Sequence, residues 1–192
     1  MQFEIKNNKL FIDKEITELD KFVFDVINIL EKYADYVIIA GYVSIFFGRA
    51  RATEDIDLFI KRIPYAKFKK MYDEFILKDY EFNIEDPKSL YEDYLKKGSS
   101  INLWKKDLPL LRIDMKFANK KTQKDALKNR FIVNFKNKSL YFGPVESQIA
   151  YKRYIAKSQK DIEDARHLEI VFKGLDLNKI EKYKKAFEEE FY

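Results

Sequence analysis

Two hydrophobic rhythms run through this chain, and each predicts a different element. Apolar residues at every second position mark a half-buried strand, and apolar residues three and four apart mark one face of a helix. The first rhythm holds over residues 3–6, and residues 9–12 read as another short strand across the turn pair Asn7-Asn8. The second holds over residues 15–32, where Ile16, Leu19, Phe22, Val23, Val26, Ile27 and Leu30 form a stripe capped by Asp13 or Thr17. Residues 36–39 are a continuous apolar run, the pattern of a buried strand. A turn at Ala40-Gly41 follows, then a short helix over 42–48 that ends at Gly48. Further helices are predicted at 64–78, begun by Pro64, and at 87–97, with strands at 80–84, 101–104 and 110–117. A hairpin, 131–135 with 139–142 around Asn137-Lys138, leads into helices at 144–157, 160–172 and 176–190, with Gly174 closing the second.

Two strands carry acid on their polar face. In Asp55-Ile56-Asp57-Leu58-Phe59-Ile60 the aliphatic residues point one way, and Asp55 and Asp57 point the other. Such a pair at a strand end is a ready site for a hard divalent cation, or simply the solvated face of an edge strand. In Leu111-Arg112-Ile113-Asp114-Met115-Lys116-Phe117 the same alternation puts Asp114 on the open face. If the two strands are neighbours, Asp114 comes within reach of Asp55 and Asp57, as two-metal phosphoryl transfer requires; otherwise Asp114 is charge-paired by Arg112 and Lys116. Arg49 and Arg51 enter the first acidic strand as phosphate ligands or as charge balance for Glu54, Asp55 and Asp57.

The helical end breaks its own pattern. Lys152 falls inside the stripe Val145, Ile149, Ala156, and Asp161 lies one turn before Ala165 on the inward face, flanked by Asp164. Buried charges without partners are costly, so these residues predict an ion pair or a site. Snorkelling of Lys152 and a helix-dipole role for Asp161 are the plainer accounts.

Composition narrows the chemistry. The 192 residues are 46% hydrophobic, including 17 Phe and 13 Tyr, enough for a sizeable core. There is no Cys and one His, which excludes disulfides and thiolate sites and disfavours histidine zinc sites, so a metal would be held by oxygen, favouring Mg²⁺ or Mn²⁺. A net charge of +5 is compatible with a nucleic-acid partner without requiring one. No run is long enough to span a membrane and the first residues lack an apolar signal core, so a soluble cytoplasmic protein is expected.

The stretch AGYVSIFFGRARATEDIDLFI, residues 40–60, resembles the signature of minimal nucleotidyltransferases of the polymerase-beta superfamily. With Asp114 in RIDMKF, Glu146 and Lys152 in PVESQIAYKRYIAK, and Asp161 and Asp164 in KDIEDARHL, it is most similar to the abortive-infection (AbiEii-like) nucleotidyltransferase toxins. The resemblance spans residues 36–172 and implies an α+β nucleotidyltransferase fold, a small mixed sheet flanked by helices. The core domain would cover residues 1–142, with a C-terminal helical section over 143–192. It implies Mg²⁺ (or Mn²⁺) on Asp55, Asp57 and Asp114, with Asp114 completing the metal site or acting as base. Gly41, Ser44, Arg51, Thr53 and Lys152 would contact the NTP, and Asp161 would position Lys152. NMP would pass to an acceptor hydroxyl, with a tRNA end as the leading candidate and a cognate antitoxin as a further partner. The family's turn is usually Gly-Gly or Gly-Ser; here Ala40 adds a Cβ beside the phosphate path, and bulky Tyr42 follows Gly41. That departure keeps open a nucleotide-binding or protein-interaction module that has lost turnover, and an antitoxin-type RNA-binding protein is a third reading.

Overall fold

Each alternating strand must bury one face, and among the described residues nine strands join in one mixed sheet. The computed structural model describes residues 2–6, 9–53, 55–135 and 138–191, with the side chains of 2–6 and 9 left aside. The turn expected at Asn7-Asn8, Glu54, and Asn137 of the second hairpin turn lie outside the described residues. The strands are β1 (Gln2–Lys6), β2 (Lys9–Asp13), β3 (Tyr36–Ile39), β4 (Asp55–Ile60), β5 (Tyr80–Phe82), β6 (Ile101–Lys105), β7 (Leu108–Phe117), β8 (Phe131–Phe135) and β9 (Lys138–Phe142). Their order is β1-β2-β8-β9-β3-β4-β7-β6-β5. β3 pairs antiparallel with β4, and β4 pairs parallel with β7. The two acid-bearing strands are therefore neighbours. Ile56, Leu58 and Ile60 and their partners Ile113, Met115 and Phe117 are all buried on the opposite face.

The helices are α1 (Glu18–Leu30), α2 (Gly41–Phe46), α3 (Tyr65–Leu77), α4 (Pro87–Ser89), α5 (Lys121–Lys128), α6 (Val145–Tyr151), α7 (Gln159–Val171) and α8 (Leu177–Phe191). α4 runs on through a π-turn, Leu90–Tyr94, and a 3-10 turn, Leu95–Lys97. α6 likewise widens into a π-turn over Lys152–Ala156, a form that often re-aims side chains at functional sites. Thr17 caps α1: its Oγ1 accepts from the Asp20 N–H at 3.2 Å while Asp20 accepts the Thr17 N–H at 2.9 Å. α5 is a helix that periodicity does not announce, because KTQKDALK has no apolar stripe. Its start is held from outside, where Glu190 of α8 accepts from the Thr122 N–H and hydroxyl at 3.1 and 2.7 Å.

Tyr42 does not obstruct the turn that precedes it. The ring is fully buried, stacks on Phe142, and donates its hydroxyl to Asp20 Oδ1 at 2.7 Å. Burial pushes the Asp20 carboxyl up, but hydrogen bonds from Lys14, Thr17 and Tyr42 outweigh it and hold the group below the usual carboxylate range. No described helix is long and apolar enough to cross a membrane.

Candidate active site

The sheet registers place the acids. Asp57 lies directly opposite Asp114 on β7 and opposite Ile39 on β3, the last residue before the Ala40-Gly41 turn. Burial and the charges of Asp114 and Asp55 raise the Asp57 carboxyl to about 6. Burial and Asp55 also push Asp114 up, and its Oδ1 is buried with no hydrogen-bond partner among the described residues. Asp55 shares their face, but its Oδ1 is taken by Arg112 Nε at 3.1 Å. The structure thus brings Asp57 and Asp114 together and turns Asp55 toward Arg112. Among the described residues, no group of three or more His, Cys, Asp or Glu converges on a metal-sized position. Two repelling carboxylates with a spare oxygen still fit Mg²⁺ or Mn²⁺, because Mg²⁺ commonly binds through one or two carboxylates plus substrate phosphates and water.

Beside the acids, three of the expected nucleotide contacts meet at the start of α2. A Cβ built on Gly41 would lie 2.0 Å from Arg51 Nη2 and 3.7 Å from Thr53 Oγ1, so the glycine leaves room for the guanidinium. Thr53 donates its hydroxyl to the Asp55 carbonyl at 3.0 Å. Ser44 does not belong to this group. It is fully buried, its hydroxyl has no hydrogen-bond partner among the described residues, and it offers no surface to a ligand. Ala40 holds φ 61° and ψ −133°, a region where a Cβ is strained, and its N–H donates to Gln148 Oε1 at 3.0 Å. Ala40→Gly should remove that strain and raise stability by about 1 kcal/mol, read as a higher urea midpoint at unchanged slope. A lower midpoint would show that the turn carries no strain for glycine to relieve.

The inward charges of the helical end form one network centred on Asp164. This residue is fully buried. Its Oδ2 accepts from Lys152 Nζ at 2.7 Å, its Oδ1 accepts from Arg49 Nη1, and Arg51 Nε lies 3.3 Å from Oδ1 without hydrogen-bond geometry. Asp161, the partner expected for Lys152, is the more distant one at 3.5 Å and is held by Ser158 as the first turn of α7 is capped. Arg49 also reaches Glu163 at 2.6 Å and the Lys160 carbonyl at 2.9 Å. Lys152 is close enough to Asp57 for its charge to lower that carboxyl's proton affinity. Glu146 sits elsewhere, lining a separate cavity with Asp125 and Lys179. Sequence reasoning did not assign Gln148, and it placed Asp161 rather than Asp164 at the lysine. A buried amide one turn before the inward lysine was the available signal for Gln148.

A cavity of about 170 Å³ opens at Asp57. Lys116, Gln148, Tyr151 and, from α8, Phe187 and Phe191 line it with Asp57.

No protein-family model matches the chain, and no curated protein is significantly similar to it in sequence. Solved structures do match. The lincosamide antibiotic adenylyltransferase LnuA, lincomycin-bound, aligns with a TM-score of 0.56 at 14% identity over 83% of this chain and 100% of that one. The antibiotic-resistance factor ANT(2'')-Ia gives 0.56 at 14% identity over 89% and 91%. An antigenic nucleotidyltransferase-like protein from Paracoccidioides brasiliensis gives 0.52 at 14% identity over 90% and 88%. The chain has the nucleotidyltransferase fold. At such identity the likeness carries the fold alone, and the chemistry of this nucleotidyltransferase-fold protein rests on the residues at its own site.

Proposed function

We propose that the protein transfers a nucleoside monophosphate from an NTP to an acceptor hydroxyl. The observation that carries this reading is the pairing of Asp57 with Asp114 beside the Gly41 turn. The acceptor O–H gives its proton to Asp114, whose raised proton affinity and unpartnered Oδ1 suit a base. The acceptor oxygen forms a bond to the α-phosphorus. The bond from that phosphorus to the bridging oxygen breaks, and pyrophosphate leaves with the electron pair. Asp57 and Asp114 would hold Mg²⁺ or Mn²⁺, which when bound withdraws charge from the phosphoryl oxygens. Arg51 and Thr53 would meet the triphosphate at the start of α2, and Lys152, fixed by Asp164 with Asp161 behind it, would offset charge near the transferred group.

Two acceptor classes follow from two observations. ANT(2'')-Ia has been solved with adenylyl-2''-tobramycin, which favours a small hydroxylated molecule as acceptor. The motif set resembling abortive-infection toxins favours a tRNA end, with a cognate antitoxin as partner and the cytoplasm as the setting. Each of the four α-labelled NTPs, incubated with Mg²⁺ and either total tRNA or a panel of aminoglycosides and lincosamides, separates these classes. Label on neither, with NTP still bound, would favour a nucleotide-binding module without turnover, the reading that the Ala40 Cβ supports.

The acid pair makes metal binding pH-dependent. Because the folded-state value of Asp57 is raised, protonated Asp57 contributes stability that is complete below its unfolded value and is lost as pH rises through about 6. A divalent cation offsets that loss above pH 6 and competes with the proton below it. Mg²⁺ should therefore raise the melting temperature by several degrees at pH 8 and by little at pH 5. Equal shifts at both pH values would place the metal elsewhere.

A further inference from the structure

A second cavity, of about 870 Å³, lies outside the Asp57 site between α5, α8 and the loop joining α7 to α8. Its floor is apolar, with Phe131, Phe172, Leu175 and Ala186 among the lining residues. Its rim carries Lys121, Lys173, Lys179 and Lys182. None of these four ammonium groups has a carboxylate partner among the described residues, whereas Lys14, Lys32, Lys69 and Lys152 each hold one. Two acids also line the cavity. Asp125 is occupied by the Tyr183 hydroxyl at 2.9 Å and by Asn129 at 2.8 Å, and Glu146 remains. Four lysines against two carboxylates leave the rim cationic.

We propose that this cavity binds an amphipathic organic anion, a molecule with an apolar or aromatic body and a phosphate, sulfonate or carboxylate group. The volume falls within the ~300–1,000 Å³ of small-molecule sites, and an apolar floor with a few convergent charges is the usual make-up of such sites. A bare polyanion would have no use for the floor, and a neutral apolar ligand none for the lysines. The wall is set in advance, because the Tyr183–Asp125 and Glu190–Thr122 hydrogen bonds fix α8 against α5. Thr122 borders both cavities, and α8 lines this one with Lys179, Lys182 and Ala186 and the Asp57 cavity with Phe187 and Phe191. An occupant here would therefore bear on the helix that also lines the Asp57 cavity.

The test is a fluorescence titration of the full chain, without NTP or metal, using 8-anilinonaphthalene-1-sulfonate. N-phenyl-1-naphthylamine, which has the same aromatic body without the sulfonate, is the neutral control. The anion should bind one-to-one and at least tenfold more tightly than the neutral probe. The double substitution Lys179→Glu and Lys182→Glu should weaken the anion at least tenfold, and Ala186→Trp, which fills the floor, should abolish binding. Lys67→Glu with Lys70→Glu on α3, an equal charge change at exposed positions, should leave it unaltered. Equal loss in the α3 variant, or undiminished binding in the Ala186→Trp protein, would overturn the proposal. The titration measures no transfer, so its outcome is independent of whether the protein moves NMP.

Discussion

Asp57→Asn should lower NMP transfer by about three orders of magnitude while making the protein more stable. The first effect follows from the position of Asp57 at the strand register shared with Asp114, where, in the proposed mechanism, loss of one charge would remove both a metal ligand and the field that would hold the cation. The second follows from its environment. Burial and the neighbouring carboxylates disfavour the charged form, so at pH 8 the folded state carries a repulsion that the unfolded chain lacks. Replacing the carboxylate with an amide should recover about 2 kcal/mol, measured by urea unfolding at pH 8, and the gain should vanish at pH 4. Asp55→Asn should cost less activity, because its carboxylate is already engaged by Arg112. Retained transfer with reduced stability in Asp57→Asn would show a structural carboxylate and sink the enzymatic reading.

That contrast between Asp55 and Asp57 marks where sequence reasoning reaches its limit. Alternation alone puts Asp55, Asp57 and Asp114 on open faces, because period two is a property of the strand and survives any packing. It also shows that the two strands, if adjacent, would oppose acid to acid, and the parallel β4–β7 pairing does so. Which carboxylate turns to Arg112 depends on side-chain directions that only tertiary structure fixes. Ser44 illustrates the same limit, since a helix of six residues shows no stripe long enough to tell its buried side from its open one. α5 was hidden for another reason: its stability comes from Glu190, sixty-eight residues away in sequence, rather than from its own apolar face. Lys152 was visible because a charge inside a stripe is an anomaly. Its partner was not, since Asp161 and Asp164 are three apart on one helix and both lie near the inward face.

Removing that partner should produce a large loss of stability. Asp164→Ala leaves three cations, Lys152, Arg49 and Arg51, gathered around an empty, fully buried position. Deleting one member of a buried charge cluster costs about 3–5 kcal/mol; Arg49 would keep Glu163, but buried Lys152 would keep only the more distant Asp161 and Arg51 would lose its neighbouring carboxylate. For a chain of this length that is a fall in melting temperature of roughly 10 °C. Lys152→Met should cost less, about 1–2 kcal/mol, because Asp164 keeps both arginines and the methionine fills the space. The double variant should be less destabilised than the sum of the two, since the lysine is no longer stranded once it is gone. Transfer should respond differently: both single variants should lose activity, Lys152→Met out of proportion to its small loss of stability. If Asp164→Ala melted within 2 °C of the parent, the three cations would have to find solvent or other partners, and Asp164 would not be the centre that holds Lys152 toward Asp57.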